Sequence, residues 1–356
     1  MAFRYLDPCG DYYTTLLNVW DVEDTNSVAP AGGAIVAAAG RFGSAGLRQT
    51  DIRQGITKNL DGNIGTIWVG FALNIEAHQT PETRAILRFK DAGLEQCALF
   101  LEQDGALRFY RRSGTLGLSP PFNAQYTALG AATSFKVPFL AYHYIEVKVV
   151  FNAGAGTFDL WVDGVNRQSL VGLNTIFTAN AYCNQLGFGG AIYEIFIDSR
   201  RQFTVDDIYV HDSARQGDIR VGTIFPDGVG ATSAWAANGA ATLWQATDEV
   251  TPNEDTDYAS SATVAQKYTT NMQPTGVGAG TVKTVGITAR ARKDDGATRI
   301  IRYIARHAGV EGQSSDRELG STYSYAQKYF DTNPSTAVAW TIAEVDAMEA
   351  GAIVQA

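Results

Sequence analysis

Residues 142–167 read YHYIEVKVVFNAGAGTFDLWVDGVNR, and the spacing of their apolar side chains decides the fold class. Ile145, Val147, Val149 and Phe151 alternate with Tyr144, Glu146 and Lys148, and after a glycine-rich break Phe158, Leu160 and Val162 alternate with Asp159, Trp161 and Asp163. A period of two belongs to strands with one apolar face. The NAGAG run at 152–156 supplies residues that tolerate turn geometry, and Asp163-Gly164 begins a second tight turn. Three antiparallel strands are therefore expected in succession.

Working outward, apolar runs of strand length recur at 65–75, 84–89, 97–101, 106–110, 185–188, 192–197 and 206–211, with turn signals between them. Many short strands at such spacing predict an antiparallel sandwich or jelly roll. The Ala/Gly-rich segment 29–46 reads as two short strands around a glycine turn, and 3–20 as a mixed aromatic segment without a clear period. Around 213–217 the pattern breaks. Strands resume at 266–271, 282–291, 298–306 and 324–330, a helical turn or two is expected in WTIAEVDAME (340–349), and a last strand at 351–355. The expectation is all-β: a concanavalin-like jelly-roll sandwich over residues 1–214 and a smaller C-terminal β-sandwich over 215–356.

Composition agrees with this architecture. Apolar residues at 45% against 18% charged exclude wholesale disorder, and 36 Gly with 16 Tyr and 17 Phe suit many strands joined by turns. A net charge of −9 gives no electrostatic reason to bind nucleic acid or an anionic membrane. The basic cluster Arg290, Arg292, Lys293 is followed at once by Asp294 and Asp295 and reads as a solvated turn. Cys9, Cys97 and Cys183 are far apart without a CxxC spacing, which points to buried free thiols. No long apolar stretch or signal-peptide pattern is present, so the chain is expected to be made soluble in the cytoplasm and not inserted in a membrane.

Catalytic patterns are sparse. A glycosidase on such a sandwich needs two carboxylates about 5 to 9 Å apart. Asp159 and Asp163, four residues apart on a strand, would lie roughly 13 Å apart, and Glu194 and Asp198 meet the same objection. Asp206 and Asp207 are adjacent and would point to opposite faces, one of them closing a loop by hydrogen bonding. His78, His143, His211 and His307 lack a second ligand at metal spacing. Gly40, Gly43 and Gly46 do not make a dinucleotide fingerprint, and GxSxG and HExxH are missing. No cofactor is expected; a structural calcium ion, if present, would sit at Asp163 or Asp198, where turn-forming aspartate is the simpler reading. Trp161 with Asp159 and Asp163 forms the candidate glycan-contact face, because sugar rings stack on indole. The same face could instead pack against a neighbouring subunit or strand.

The order YIEVKVVF, FDLWVDG and DDIYVHD resembles the laminin-G or concanavalin-like jelly roll. The opening YLDPCGDYYTT is similar to the start of such domains in tailed-bacteriophage structural proteins, departing from their Gly-Phe-Asp at Cys9-Gly10-Asp11, and GDIRVGTIFPDG, TDEVTPNEDTDYASS, ITARARKDDG and TNPSTAVAWTIAEVDAMEAG resemble their C-terminal part. That resemblance implies a structural virion component in a tail fibre, baseplate or capsid-surface appendage, and not an enzyme. It would be localised in the virion, with itself as a homo-oligomer and other virion proteins as partners. The alternative is a carbohydrate-binding module that recognises a host-surface glycan.

Overall fold

The structure, a computed structural model, describes residues 2–10, 13, 19–23, 33–50, 55–77, 83–114, 125–190 and 202–356. The expected strand at 192–197, with Glu194 and Asp198, and His78 lie outside these residues. The chain divides into two compact units, one ending at Val221 and one beginning at Gly222. The sequence pattern breaks earlier, near Ala214, because residues 213–221 have no strand period yet are bonded to strands of the first unit.

In the first unit β1 (Phe3–Asp7), β2 (Val22–Glu23), β3 (Ala34–Val36), β4 (Gly46–Gln49), β5 (Gly55–Ile64), β6 (Thr66–Ala77), β7 (Arg84–Asp91) and β8 (Leu94–Leu101) come first. They are followed by β9 (Leu107–Arg112), β10 (Tyr126–Ala128), β11 (Tyr142–Val150), β12 (Gly156–Val162), β13 (Val165–Leu173), β14 (Cys183–Gly189) and β15 (Gln202–His211). One sheet of eight strands runs β13-β12-β11-β6-β15-β4-β3 with β1 on β15; the other, of seven, runs β10-β9-β8-β7-β14-β5-β2. This is a concanavalin-like jelly-roll sandwich.

The hairpin at 142–167 sets the register of the first sheet. Ile145, Val147 and Val149 pair with Val162, Leu160 and Phe158, and all six are fully buried. Asn152 closes the first turn by accepting from the amides of Gly154 and Ala155 at 2.9 and 2.8 Å. Asp163 and Gly164 close the second with φ of 50° and 76°, the left-handed pair a two-residue hairpin requires. Between the sheets the core is aromatic: Phe109 stacks on Phe158 at 3.9 Å, and Phe71 meets Phe188 edge-on at 5.1 Å. Cys9, Cys97 and Cys183 are free and buried, and burial pushes each thiol up.

The second unit comprises β16 (Pro226–Ser233), β17 (Ala236–Asn238), β18 (Tyr258–Ser260), β19 (Lys267–Met272), β20 (Val285–Ala291), β21 (Ile300–His307), β22 (Val310–Gln313), β23 (Arg317–Glu318), β24 (Ser324–Phe330), α1 (Ile342–Asp346) and β25 (Glu349–Val354). A six-stranded sheet, β16-β19-β25-β21-β22 with β23 on β21, is joined by the pairs β17-β18 and β20-β24. Its core gathers Ile301, Tyr303, Phe330, Trp340, Val345 and Met348. Thr341 and Glu344 cap α1 reciprocally, which explains the helical signal there. The basic cluster is paired locally, Arg290 with Glu254 and Arg292 with Asp255 at 2.9 Å. No helix among the described residues is long and apolar enough to cross a membrane.

Candidate functional site

The face of each sheet turned away from its partner sheet is its outer face. On the seven-stranded sheet that face carries charge. Leu87 and Phe89 of β7 point into the core, so Arg88 and Lys90 point outward by strand alternation. Across the strands, Arg88 pairs with Ala98 on β8 and Gly187 on β14, and Lys90 pairs with Glu95 and Gln185. Arg112 on β9 pairs with Tyr126 on β10. Three cations, a phenol and one acid are thereby assembled from four strands.

Burial sharpens its chemistry. Arg88, Lys90, Glu95, Arg112 and Tyr126 are each at most 7% exposed. Both carboxyl oxygens of Glu95 are buried, with the Tyr126 phenol beside them. Burial drives the Glu95 carboxyl above the usual glutamate range, against the opposing pull of Arg88, the neighbouring Tyr126 phenol, Lys90 and Arg112. The Tyr126 phenol is itself pushed well up, by burial first and by the Glu95 charge next. A glutamate that readily keeps its proton, a phenol that holds its own, and three cations therefore share one dry surface.

The remaining contacts fix positions. Lys90 donates to Thr57 at 3.0 Å, and Arg112 donates to the Gly114 carbonyl at 2.9 Å while lying 4.5 Å from the Phe177 ring centre. The Arg88 guanidinium occupies a trough of glycines: a Cβ built on Gly55, Gly190 or Gly187 would come within 2.7, 3.0 or 3.1 Å of its Nη2. Phe100, Tyr110 and Tyr126 form an aromatic wall beside the cluster, with ring centres 5.1 and 5.0 Å apart. The row Asn59–Gln185–Lys90–Glu95 runs across four strands from an exposed amide to the sealed carboxyl.

The residues singled out from sequence lie elsewhere. Trp161 and Asp159 share the outer face of the eight-stranded sheet, where the Trp161 ring lies 5.2 Å from Trp68 and 5.2 Å from the Arg215 guanidinium, and Asp159 is 3.7 Å from Lys148. Asp163 does not join them, because the strand ends at Val162 and the left-handed turn aims its carboxyl at the Tyr144 amide (2.9 Å) and His143 (2.7 Å). That turn role also occupies the calcium candidate; Asp198 is outside the described residues. Among the described residues no group of three or more His, Cys, Asp or Glu is placed to hold a metal ion. Asp206 and Asp207 do not face opposite ways. A bulge in β15 brings both carboxyls to one side, where Asp206 accepts from Arg41 N at 2.7 Å and Ser44 Oγ at 2.8 Å, and Asp207 accepts from Val221 N at 2.7 Å.

The Glu95 cluster has no signature within any single strand, because its members meet only across the sheet. What a single strand does show is RAILRFKD (84–91), where Arg88 and Lys90 alternate with Leu87 and Phe89 and so place two cations on one non-core face.

No protein-family model matches the chain, and no curated protein is similar to it in sequence. Solved structures similar to it include an endo-beta-1,4-glucuronan lyase from the fungus Trichoderma reesei, 16% identical with a TM-score of 0.44, over 60% of this chain and 96% of the lyase. The alginate lyase Aly36B is 13% identical with a TM-score of 0.39, over 61% and 98%. A Trypanosoma rangeli sialidase is 13% identical with a TM-score of 0.34, over 52% and 27%. These neighbours are carbohydrate-active proteins and not virion components. The expectation of a structural virion component, and of a chain that is not an enzyme, is corrected accordingly. No single segment of the sequence displays the charged cluster, because it is assembled across strands.

Proposed function

We propose that the first unit is an enzyme that cleaves an acidic polysaccharide, a chain containing uronic acid units, by β-elimination on the outer face of the seven-stranded sheet. The observation that carries this reading is the Glu95 carboxyl, 1% exposed, among Arg88, Lys90, Arg112 and the Tyr126 phenol. Hydrolysis is disfavoured by geometry: the next acid along the chain, Glu102, lies just past the end of β8, roughly 20 Å from Glu95 along the strand direction, too far for a carboxylate pair.

Elimination asks for different groups. The proton on the carbon next to a uronate carboxylate is removed, the bond from the neighbouring carbon to the leaving sugar oxygen breaks, and a carbon–carbon double bond forms. Charge develops on the carboxylate as the proton leaves, so cations placed there in advance stabilise the transition state most where water is excluded. Arg88, Lys90 and Arg112 fill that role. Glu95 in its ionised form takes the proton from the sugar carbon, burial having made it a stronger base than an ordinary glutamate, and Tyr126, which keeps its own proton, gives one to the leaving oxygen.

Incubation with alginate, glucuronan and other uronans, followed by the ultraviolet absorbance of unsaturated uronate ends, tests this reading. Turnover on at least one uronan is expected, with Glu95→Gln slower by about 100-fold or more. New reducing ends without that absorbance, or no turnover on any uronan, would sink the elimination.

A further inference from the structure

At one place on the outer face of the seven-stranded sheet, a strand carries no side chain between neighbours that do. β14 reads CNQLGFG (183–189); Leu186 and Phe188 are fully buried in the core, so Gly187 between them turns outward. It pairs with Thr57 on β5 and with Arg88 on β7. A glycine inside a strand gives up packing and adds to the entropy lost on folding, and it often marks a close approach by another group.

Two cations make that approach. Lys90 pairs with Gln185 on β14, yet its Nζ donates to Thr57 at 3.0 Å, one strand further on. Arg88 takes the same direction, since its Nη2 lies 2.7 Å from where Gly55 of β5 would carry a Cβ and 3.0 Å from that place on Gly190. On its other flank Arg88 pairs with Ala98 on β8. Both heads therefore lie along the sheet over β14, leaning away from the strand that holds Glu95.

Gly187 is the bare ground they cross. A Cβ there would stand 3.1 Å from Arg88 Nη2, 3.2 Å from the Ile56 carbonyl oxygen and 3.3 Å from Arg88 Cζ, closer than the 3.4 to 4 Å of ordinary contact. Two of these three nearest atoms belong to Arg88. The other glycines of the trough are needed for the backbone itself: Gly190 has a φ of 66°, and a Cβ on Gly55 would meet the backbone of 189 and 190 at 3.0 Å. Gly187 lies outside the left-handed region, so alanine fits its backbone and presses chiefly on the guanidinium.

We propose that Gly187 is a positioning residue for the elimination: by leaving β14 bare it lets Arg88 lie across the strand, beside Lys90, and hold the uronate carboxylate there, next to Glu95 instead of on it. A cation paired directly with Glu95 would quench the base. Cations laid over the neighbouring strand leave the base its strength and offer a planar fork to a second carboxylate on its flank.

This inference rests on the proposed elimination, and its test separates the two. Absence of wild-type turnover on every uronan would overturn both. Given turnover, Gly187→Ala should lower kcat/KM about fivefold or more, because small displacements of a substrate-holding group are costly. In Arg88→Lys, which has no fork, the same change should cost nothing further. Wild-type kinetics in Gly187→Ala, or an equal loss in both backgrounds, would leave the elimination standing and overturn the role of Gly187. Titration of the Glu95 carboxyl by nuclear magnetic resonance reads the same coupling without turnover, since Arg88 exerts the largest pull opposing the rise of that group. Gly187→Ala should move the midpoint when Arg88 is present and leave it in place in Arg88→Ala; a midpoint unmoved in the first case, or moved equally in both, would overturn the proposal. Should Gly187→Ala not fold, wild-type kcat and KM in Arg88→Lys would overturn it as well.

Discussion

Glu95 is expensive to keep where it is. A carboxyl at 1% exposure has given up its hydration, and the nearby cations and the Tyr126 phenol do not restore it fully, since the group still ends above its ordinary range. A group raised in this way contributes stability that is complete below its unfolded value and is lost as pH rises through the folded one. Glu95→Gln removes the penalty on the charged form while keeping the shape. The variant should therefore melt at a higher temperature than wild type at pH 8, and the gap should shrink towards pH 4. An Asn or Gln that stabilises a fold while abolishing turnover is what an active-site acid, and not a structural ion pair, would give. Calorimetry at the two pH values reads the gap; a variant less stable than wild type at pH 8 would mean that Glu95 serves the fold through Arg88, Lys90 and Arg112.

At the scale of elements, alternation was legible and bulges were not. The strands of residues 142–167 follow their sequence pattern residue by residue, because nothing interrupts the pleat and each apolar side chain falls on the core face. β5 carries no such pattern. Its pairing to β14 jumps from Asn59 to Ile64 while β14 advances only from Gln185 to Cys183, so residues 60–63 bulge out of the ladder. Gln96 is the extra residue of another bulge, between the pairs Phe89 to Cys97 and Lys90 to Glu95. It is fully buried, accepts from Phe177 N at 2.6 Å and Thr178 N at 2.9 Å, and donates to Thr178 Oγ1, Asn180 O and Tyr182 O at 2.8, 2.9 and 3.1 Å. Those partners are some eighty residues away, so no local pattern announces them. Gln96→Leu keeps the volume and strands the loop's amides and carbonyls. It should cost at least about 2 kcal/mol in urea unfolding and raise exchange across 177–182. A loss under about 0.5 kcal/mol would show that water replaces the glutamine without difficulty.

For the whole molecule the titrating groups divide into two sets with opposite signs. Asp104 is lowered, by the Ala106 amide first and Lys136 next, and Asp212 is lowered by the Ala2 amide, Ser213 and Arg4 acting against its burial; both lose their contribution as pH falls towards the ordinary aspartate value and below. Asp255, Asp295, Glu344 and Asp346 act in the same direction, but like Asp104 they stand at exposed positions where solvent weakens them. Against these stand Glu95, Asp207 and Glu249, all raised chiefly by burial, the last two to about 7. Their contribution declines as pH rises to neutrality, and a net charge of −9 adds self-repulsion on the same side. The site was hardest to see in the sequence for a related reason: acids that matter energetically are those the fold buries, and burial of a strand's second face is decided by what lies across it. The urea midpoint should accordingly be greatest between about pH 4 and 6 and should decline towards pH 8. Combining Glu95→Gln with Asp207→Asn should flatten that decline while leaving the acid limb in place. A midpoint that climbs steadily to pH 8 in the wild type would mean that the lowered carboxylates outweigh the buried ones, and that neither Glu95 nor Asp207 carries the strain assigned to it.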